Sequence, residues 1–254
     1  FNPERDITLE HFTASGFLGI DSTAIDVDSD ALTVQYHTNI ALDSLIPRSQ
    51  AKIVSFFSAD TSFTPAPGKH MELAITLPRP ELLAGLVIPD LQAIRLETLT
   101  GHYDSNTDEL QVDLDLPLLV YDSITIVDLR TAIDANGPRL TGRVDMDRIE
   151  RDSLFVHGLS IEATTAAGVL TTTLRIADGE KERYRIGTEL RAVDGVRTLH
   201  LQEDLVLNER TWTADARNLI RMASTSTEAE HFILSSEGEQ VQLTTEPAHL
   251  RSEE

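Results

Sequence analysis

The feature that most constrains the fold of this chain is an alternation of apolar and polar residues with a period of two. In residues 110–116, leucine or valine occupies every even position and Gln or Asp every odd one. Successive side chains of an extended strand point to opposite faces, so this pattern predicts a strand with one apolar and one polar face. The same alternation recurs at Ile25/Val27, Leu32/Val34/Tyr36, Ile40/Leu42, Leu73/Ile75/Leu77, Ile124/Ile126, Leu140/Val144/Met146, Leu154/Val156, Leu159/Ile161, Leu170/Leu174/Ile176, Tyr184/Ile186/Leu190, Leu199/Leu201, Leu205/Leu207, Phe232/Leu234 and Val241/Leu243. The chain is therefore predicted to be all-β, with many short strands.

Clusters of turn-forming residues separate the predicted strands. Asp, Asn, Ser and Gly are concentrated at 104–108, 134–138 and 178–180, and short acidic-glycine pairs occur at 194–195 and 237–238. An Asp-Gly pair between alternating apolar runs is typical of a β-hairpin turn. Strands joined in series by tight turns predict a mostly antiparallel meander.

Three segments interrupt the alternation. Residues 80–86 begin with proline and are compatible with one or two helical turns. Residues 213–222 fit a short helix or a strand. Residues 58–69 contain two prolines and are typical of an irregular loop, which is the best candidate for a soft boundary within a single elongated β domain spanning 1–254.

The charge of the chain excludes several partners. It carries 42 acidic and 21 basic residues, a formal net charge of -21, which repels nucleic acid and anionic membrane surfaces. There is no cysteine, so neither a disulfide nor a thiolate metal site is possible. No stretch approaches the roughly 20 apolar residues that span a bilayer. Because the chain opens with Phe-Asn-Pro and no signal peptide is recognisable, we expect it to be a fragment of a longer protein.

The polar residues do not form a recognisable catalytic or metal-binding pattern. The alternate acids at 26, 28 and 30 lack the glycine turn and the later glutamate of a calcium loop, so they are interpreted as the solvated side of a strand. The eight histidines are scattered and match no metal motif, and there is no nucleophile elbow, phosphate loop or dinucleotide fingerprint. We therefore predict a protein that is not an enzyme and needs neither metal nor cofactor.

The apolar residues are mostly aliphatic. Apolar residues make up 41% of the chain, yet aromatic residues only 5%. Such a composition favours a smooth aliphatic face, although the ordinary core of a β-sandwich gives the same pattern. Phe56 and Phe57 are interpreted as a plug at one end of the sheet, and Trp212 as a core anchor or sheet-end cap.

Two stretches of the chain resemble a known family. The first is Gly-His-Tyr-Asp-Ser at 101–105, followed by the alternating residues 110–116, Pro117 and Tyr121. The second comprises Leu-Val-Leu-Asn at 205–208, Trp212, Asn-Leu-Ile at 218–220, Phe-Ile-Leu-Ser at 232–235 and Glu-Gly-Glu-Gln at 237–240. Both are similar to units of TamB-like proteins, the inner-membrane-anchored subunits of the translocation and assembly module in the AsmA-like superfamily, especially those of Bacteroidota. The resemblance extends from about residue 7 to 245, without the membrane anchor or a recognisable docking region for the outer-membrane partner.

This resemblance implies a fold and a function. Such proteins have a long sheet curled into a trough with an aliphatic lining (a β-taco), and they reach through the Gram-negative periplasm from the inner towards the outer membrane. They are implicated in phospholipid transport and in assembling outer-membrane proteins with a barrel partner. For this chain, the resemblance implies a non-catalytic bridge segment that shields phospholipid acyl chains, with the barrel partner bound by regions outside it. The expected groove-lining residues are Leu110, Val112, Leu114, Leu116, Leu170, Leu174, Ile176, Ile186 and Leu190.

Two other functions remain open from the residues alone. One is a structural or adhesive module of the cell envelope, built as a closed β-sandwich with a dry core. The other is a chaperone that captures partner strands at a sheet edge. Only the open-face interpretation leaves the aliphatic residues accessible to a lipid.

Overall fold

The computed structural model describes residues 9–41, 44, 52, 55–56, 66–82, 88, 90–223 and 226–245. Within these residues the protein is all-β, as predicted, and a 3-10 helix at Pro80–Leu82 is the only helical element whose bounds are described. Nineteen strands form one sheet. They are β1 (Phe12–Leu18), β2 (Thr23–Ser29), β3 (Thr33–Thr38), β4 (His70–Thr76), β5 (Leu91–Arg95), β6 (Thr98–Asp104), β7 (Glu109–Tyr121), β8 (Ile124–Asn136), β9 (Arg139–Arg151), β10 (Leu154–Ala166), β11 (Val169–Asp178), β12 (Lys181–Val193), β13 (Val196–Leu201), β14 (Asp204–Leu207), β15 (Arg210–Ala214), β16 (Leu219–Met222), β17 (Thr227–Glu230), β18 (Phe232–Ser236) and β19 (Glu239–Leu243).

The pairing of these strands is antiparallel throughout. Strands β1 to β4 pair in series, β4 pairs with β6, and β6 to β12 again pair in series, while the second half of β7 pairs with β5. Beyond β12 the sheet divides into a branch β13–β16–β17 and a branch β14–β15–β18–β19. Within the described residues β1 and β19 each have one neighbour and do not pair with each other, so the sheet is open. The predicted antiparallel pairing is confirmed, and the predicted meander holds for β1 to β4 and for β6 to β12 but not for the two branches beyond β12.

Tight turns hold successive strands in register. Asp194 and Gly195 both have positive φ (50° and 74°), as do Glu237 and Gly238 (46° and 88°). Two central residues with positive φ define the hairpin turn whose twist matches that of the flanking strands. These are two of the turns that the sequence pattern predicts.

The three segments that interrupt the alternation differ in structure. Residues 213–222 are not helical: the end of β15 and all of β16 are strands, joined by a bend at 215–218. The predicted helical turn is present at Pro80–Leu82, and residues 83–87 lie outside the described residues. Most of the predicted boundary loop, residues 58–65, also lies outside them. Since β3 and β4 on either side of this loop pair with each other, the sheet continues across it.

A small buried cluster lies beside two neighbouring hairpin turns. Phe56 is buried, and the Nζ of the buried Lys52 lies 4.9 Å from the centroid of the Phe56 ring. The same ammonium group lies 2.6 Å from an oxygen of Asp108 and donates a hydrogen bond of 3.1 Å to the carbonyl of Gly137. Asp108 and Gly137 belong to two neighbouring hairpin turns, so Lys52 links Phe56 to this end of the strands, and the role of Phe56 as a plug stays a prediction. Phe57 is outside the described residues.

Candidate apolar binding face

One row of residues crosses eleven neighbouring strands, with each residue directly opposite the next. We call it the central row. Its members are Ala14, Val27, Val34, Ile75, Leu99, Leu114, Thr131, Val144, Ile161, Leu174 and Ile186. All are aliphatic except Thr131, whose side chain still carries a methyl group. With neighbouring strands about 4.8 Å apart, the ten intervals of the row span roughly 48 Å.

Further apolar residues lie on either side of the central row. On one side of the row, two residues from Leu114 along β7, Val112 lies opposite Ile133. Farther across the sheet on the same side, a run of residues lies opposite one another in turn: Leu170, Leu190, Leu199 and Ile220. On the other side of the row, a shorter run is formed by Met146, Leu159, Ile176 and Tyr184. The central row is therefore the middle of a broad aliphatic surface, which we call the apolar face.

The register brings the nine predicted lining residues onto this one face. Leu114, Leu174 and Ile186 belong to the central row, and Leu170 lies directly opposite Leu190. The other four lie on β7 or β11, an even number of residues from Leu114 or Leu174, so they point to the same face: Leu110, Val112, Leu116 and Ile176. The sequence pattern did not single out Ala14 or Leu99, because their own strands alternate poorly, and only the register shows that they extend the row.

Most of the apolar face is not fully buried. Of the nine predicted residues only Leu116 is buried, at 8% exposure, and the other eight are half-buried. In a β-sandwich the inward residues of one sheet interdigitate with those of a second sheet and lose contact with water. Here all described strands belong to a single sheet. The apolar face therefore lacks a second sheet that covers it within the described part of the chain.

The opposite face of the sheet is polar and charged. Asp115, Arg130 and Asp145 lie opposite one another in adjacent strands, and Arg143 pairs with both Asp145 and Glu162. The hydrogen bond from the Arg143 guanidinium lowers the pKa of Asp145, and the same contact raises the pKa of Arg143. These are solvated ion pairs, within β9 for Arg143 and Asp145 and between β9 and β10 for Arg143 and Glu162, and each contributes little to stability. Their charges keep this face of the sheet hydrated.

Two shallow depressions also lie on the polar face. The larger, about 520 Å³, is bordered by Asp113, Arg143 and Glu162, and the smaller, about 360 Å³, by Asp26 and Asp28. Most of the residues around each depression have polar side chains, and both depressions are open to solvent, which does not suit a hydrocarbon ligand.

Possible metal ligands are dispersed over the described residues. Asp26 lies 3.0 Å from the ring of His37, and Asp28 lies 3.2 Å from that of His11, both in exposed cross-strand pairs. Among the residues with defined positions, no three His, Asp or Glu side chains converge as a metal site requires. In the same part of the chain, no helix has the length and apolarity to cross a membrane.

Comparisons of this chain with protein families, with curated proteins and with solved structures find no match. The resemblance to TamB-like proteins therefore stays a prediction from sequence motifs.

Proposed function

We propose that this chain shelters phospholipid acyl chains on its apolar face and has no catalytic role. The observation that supports this function is the central row, an unbroken strip across eleven strands whose residues in the middle of the sheet are only half-buried. Monomeric soluble proteins rarely leave a contiguous apolar surface of this extent in water without a functional reason. A hydrocarbon ligand satisfies that surface without any specific polar contact.

The dimensions and energies of the face suit an acyl chain. One leaflet of a bilayer contributes about half of a hydrocarbon core of roughly 30 Å, so a single chain needs ~15 Å of apolar surface. This is only about three strand spacings of the central row. Hydrocarbon gains about 0.8 kcal/mol for each CH2 removed from water, so sheltering one chain is worth roughly 10 kcal/mol. Because neighbouring strands present similar aliphatic side chains, a lipid can slide from one to the next at little cost.

We propose further that the sheet curls around its apolar face to form a trough. Positive φ occurs within the two long strands on either side of β9, at Asp128 in β8 (50°) and at Gly158 in β10 (53°). The register between β11 and β12 also shifts at Ile176/Ala177. Such irregularities bend strands and increase their twist, and they are the usual means by which large sheets curve. At Gly158 a β-carbon would lie 2.5 Å from the carbonyl oxygen of Ala177, so glycine is required for this close approach.

The TamB-like resemblance supplies the proposed cellular setting. In that setting the chain is an internal segment of a longer, inner-membrane-anchored protein in the periplasm of a Gram-negative bacterium. Its polar face would meet the aqueous periplasm, and an outer-membrane barrel protein would bind regions outside this segment. The function is then to pass lipid along the bridge and to support outer-membrane biogenesis.

Site-specific photo-crosslinking tests the lipid-binding proposal. A photoreactive amino acid at Leu114, in the central row, should label phospholipid when the protein is expressed in a Gram-negative bacterium. The same amino acid at Asp113, the adjacent residue on the polar face, is the matched control and should label little. Native mass spectrometry of the unlabelled protein should detect bound phospholipid. A protein that purifies without lipid, with equal labelling at both positions, would refute the proposal.

A further inference from the structure

A line of interruptions crosses the middle of the sheet at the same level in neighbouring strands. Strands β5 and β6 both pair with β7, and residues 96–97 separate them. Farther across the sheet, the pairing of each strand with the next omits one or two residues, and the omitted residues lie opposite one another. We call this line the crease, and its members are residues 96–97, Pro117 in β7, Asp128 in β8, Asp147 in β9 and Gly158 in β10.

Beyond the crease, a second aliphatic row crosses the same strands. We call it the second row, and its members lie directly opposite one another: Ile94, Leu119, Ile126, Ile149 and Val156. All five are half-buried. Each is five residues from a member of the central row, as Leu119 is from Leu114. In a regular strand this odd separation would place the two rows on opposite faces of the sheet.

The backbone of the crease accounts for this change of phase. Asp128 and Gly158 have positive φ, and such a residue within a strand forms a bulge that bends the strand and re-aims the side chains beyond it. The charges beside the second row agree with this change. Arg148 and Glu150, on either side of Ile149, form an ion pair (3.5 Å). If the crease reverses the alternation, this pair joins the charged face of the sheet, whereas an uninterrupted strand would place both charges on the apolar face.

The burial of side chains beside the crease supports a bend towards the apolar face. Leu116 and Met146 border the crease, and each is 8% exposed. Leu114 and Val144 lie two residues farther from the crease on the same two strands and are half-buried. A bend towards the apolar face brings the second row against the bordering residues and excludes water from them. A bend in the other direction would expose them.

We propose that the sheet folds along the crease, so that the second row faces the central row and one acyl chain lies in the groove between them. The occupant rests on the proposed lipid-binding function, whereas the fold of the sheet does not. The four intervals of the second row span about 19 Å, enough for the ~15 Å of one acyl chain. A chain that lies along the crease contacts aliphatic side chains on two sides, so it loses more contact with water than on an open face.

Paired spin labels test the fold without any lipid, and cysteines can be placed freely because the chain has none. Thr131 and Ile126 lie in β8 on opposite sides of the crease, about 17 Å apart if the strand were straight. In the folded sheet, labels at these two positions face each other, whereas labels at Thr131 and Thr125 lie on opposite faces. Dipolar coupling should therefore be much stronger in the first pair. Equal coupling in the two pairs, or stronger coupling between Thr131 and Thr125, would overturn the proposal.

Substitutions at Asp128 test whether the left-handed residue maintains the crease. Asp128 is exposed, so a change there removes little packing. Glycine adopts positive φ readily, whereas a β-branched valine strongly disfavours it. Asp128→Gly should keep both the urea midpoint and the Thr131/Ile126 coupling of the natural chain, and Asp128→Val should lower both. An unchanged midpoint and coupling in Asp128→Val would overturn the assignment of the bend to this line.

Photo-crosslinking separates this groove from the lipid-binding function on which its occupant rests. A photoreactive amino acid at Ile126 should label phospholipid in a Gram-negative bacterium, as one at Leu114 should. The same amino acid at Thr125, the adjacent residue on the other face, is the matched control and should label little. Labelling at Leu114 but not at Ile126, or at Thr125 in place of Ile126, would overturn the groove and leave the lipid-binding function standing. Absence of labelling at both Leu114 and Ile126 would overturn both.

Discussion

Replacing Leu114 by aspartate distinguishes an open apolar face from a packed core. Leu114 lies in β7 between Leu99 of β6 and Thr131 of β8, and it is half-buried. Full burial of a leucine contributes about 1.5–3 kcal/mol, so the half-buried side chain contributes roughly 1–1.5 kcal/mol. The low strand preference of aspartate adds up to about 1 kcal/mol. Because the new carboxylate can reach water, the total loss in the free energy of unfolding should be about 2 kcal/mol.

Leu116 provides a matched control on the same strand and the same face. Its exposure is 8%, and it lies opposite Leu129. Leu116→Asp forces a carboxylate without a partner into a buried position, which costs several kcal/mol. A domain has only about 5–15 kcal/mol of net stability, so this variant should be severely destabilised or unfolded.

Urea unfolding, followed by far-UV circular dichroism and by the fluorescence of Trp212, measures both variants. With a typical slope of about 2 kcal/mol per molar urea, Leu114→Asp should lower the midpoint by roughly 1 M and leave the slope unchanged. It should also abolish lipid cross-linking from neighbouring positions of the central row while the sheet remains folded. If Leu114→Asp destabilises the protein as much as Leu116→Asp does, the face is packed and the lipid proposal loses its support.

Two further predictions concern the bend between β15 and β16. Asn218 is 1% exposed. Its side chain accepts a hydrogen bond from the amide of Leu201 (2.7 Å) and donates to the carbonyls of Leu201 and Asp215 (both 2.8 Å). Because Asn218→Ala leaves these buried groups without partners, it should lower the free energy of unfolding by about 2–4 kcal/mol. A loss below ~1 kcal/mol in urea unfolding would contradict this role. The side-chain hydrogen bond from Arg217 lowers the pKa of Asp215 to about 2, so this contact stabilises the folded state above the ordinary aspartate pKa and is lost as the pH falls towards 2. Arg217→Gln should return the pKa of Asp215 towards its ordinary value in a carboxyl NMR titration, and an unchanged pKa would contradict the assignment.

The strands and their two faces were predictable because the alternation is local. Residues 110–116 define an apolar and a polar face by themselves, and the turn clusters at 194–195 and 237–238 define where the chain reverses. The fold class and the meander follow from these features. The same local information placed the nine predicted residues on one face of the sheet, since each lies in a strand that alternates well.

The interruptions within strands were less predictable. The sequence of residues 213–222 allowed a short helix, because several of its residues favour helices and no strict alternation is present. In the folded protein the buried amide of Asn218 bonds to the backbone of Leu201, and this tertiary contact holds a bend between two strands. Strand β1 is absent from the alternating runs because Phe-Thr-Ala-Ser-Gly-Phe-Leu does not alternate. Such contacts depend on residues distant in sequence, which local patterns do not contain.

The central row depends on register, and register depends on the turns. A slip of one residue between two strands would move every downstream aliphatic side chain to the opposite face. Two-residue turns such as the one at Asp194 and Gly195 allow one pairing offset between their strands. The positive-φ residues at the strand ends therefore contribute to the apolar face by fixing the pairing of the strands that form it. A surface that any stretch of hydrocarbon can occupy needs no specific polar contact. It does need each strand to pair with its neighbours in the register that places their aliphatic side chains on the same face.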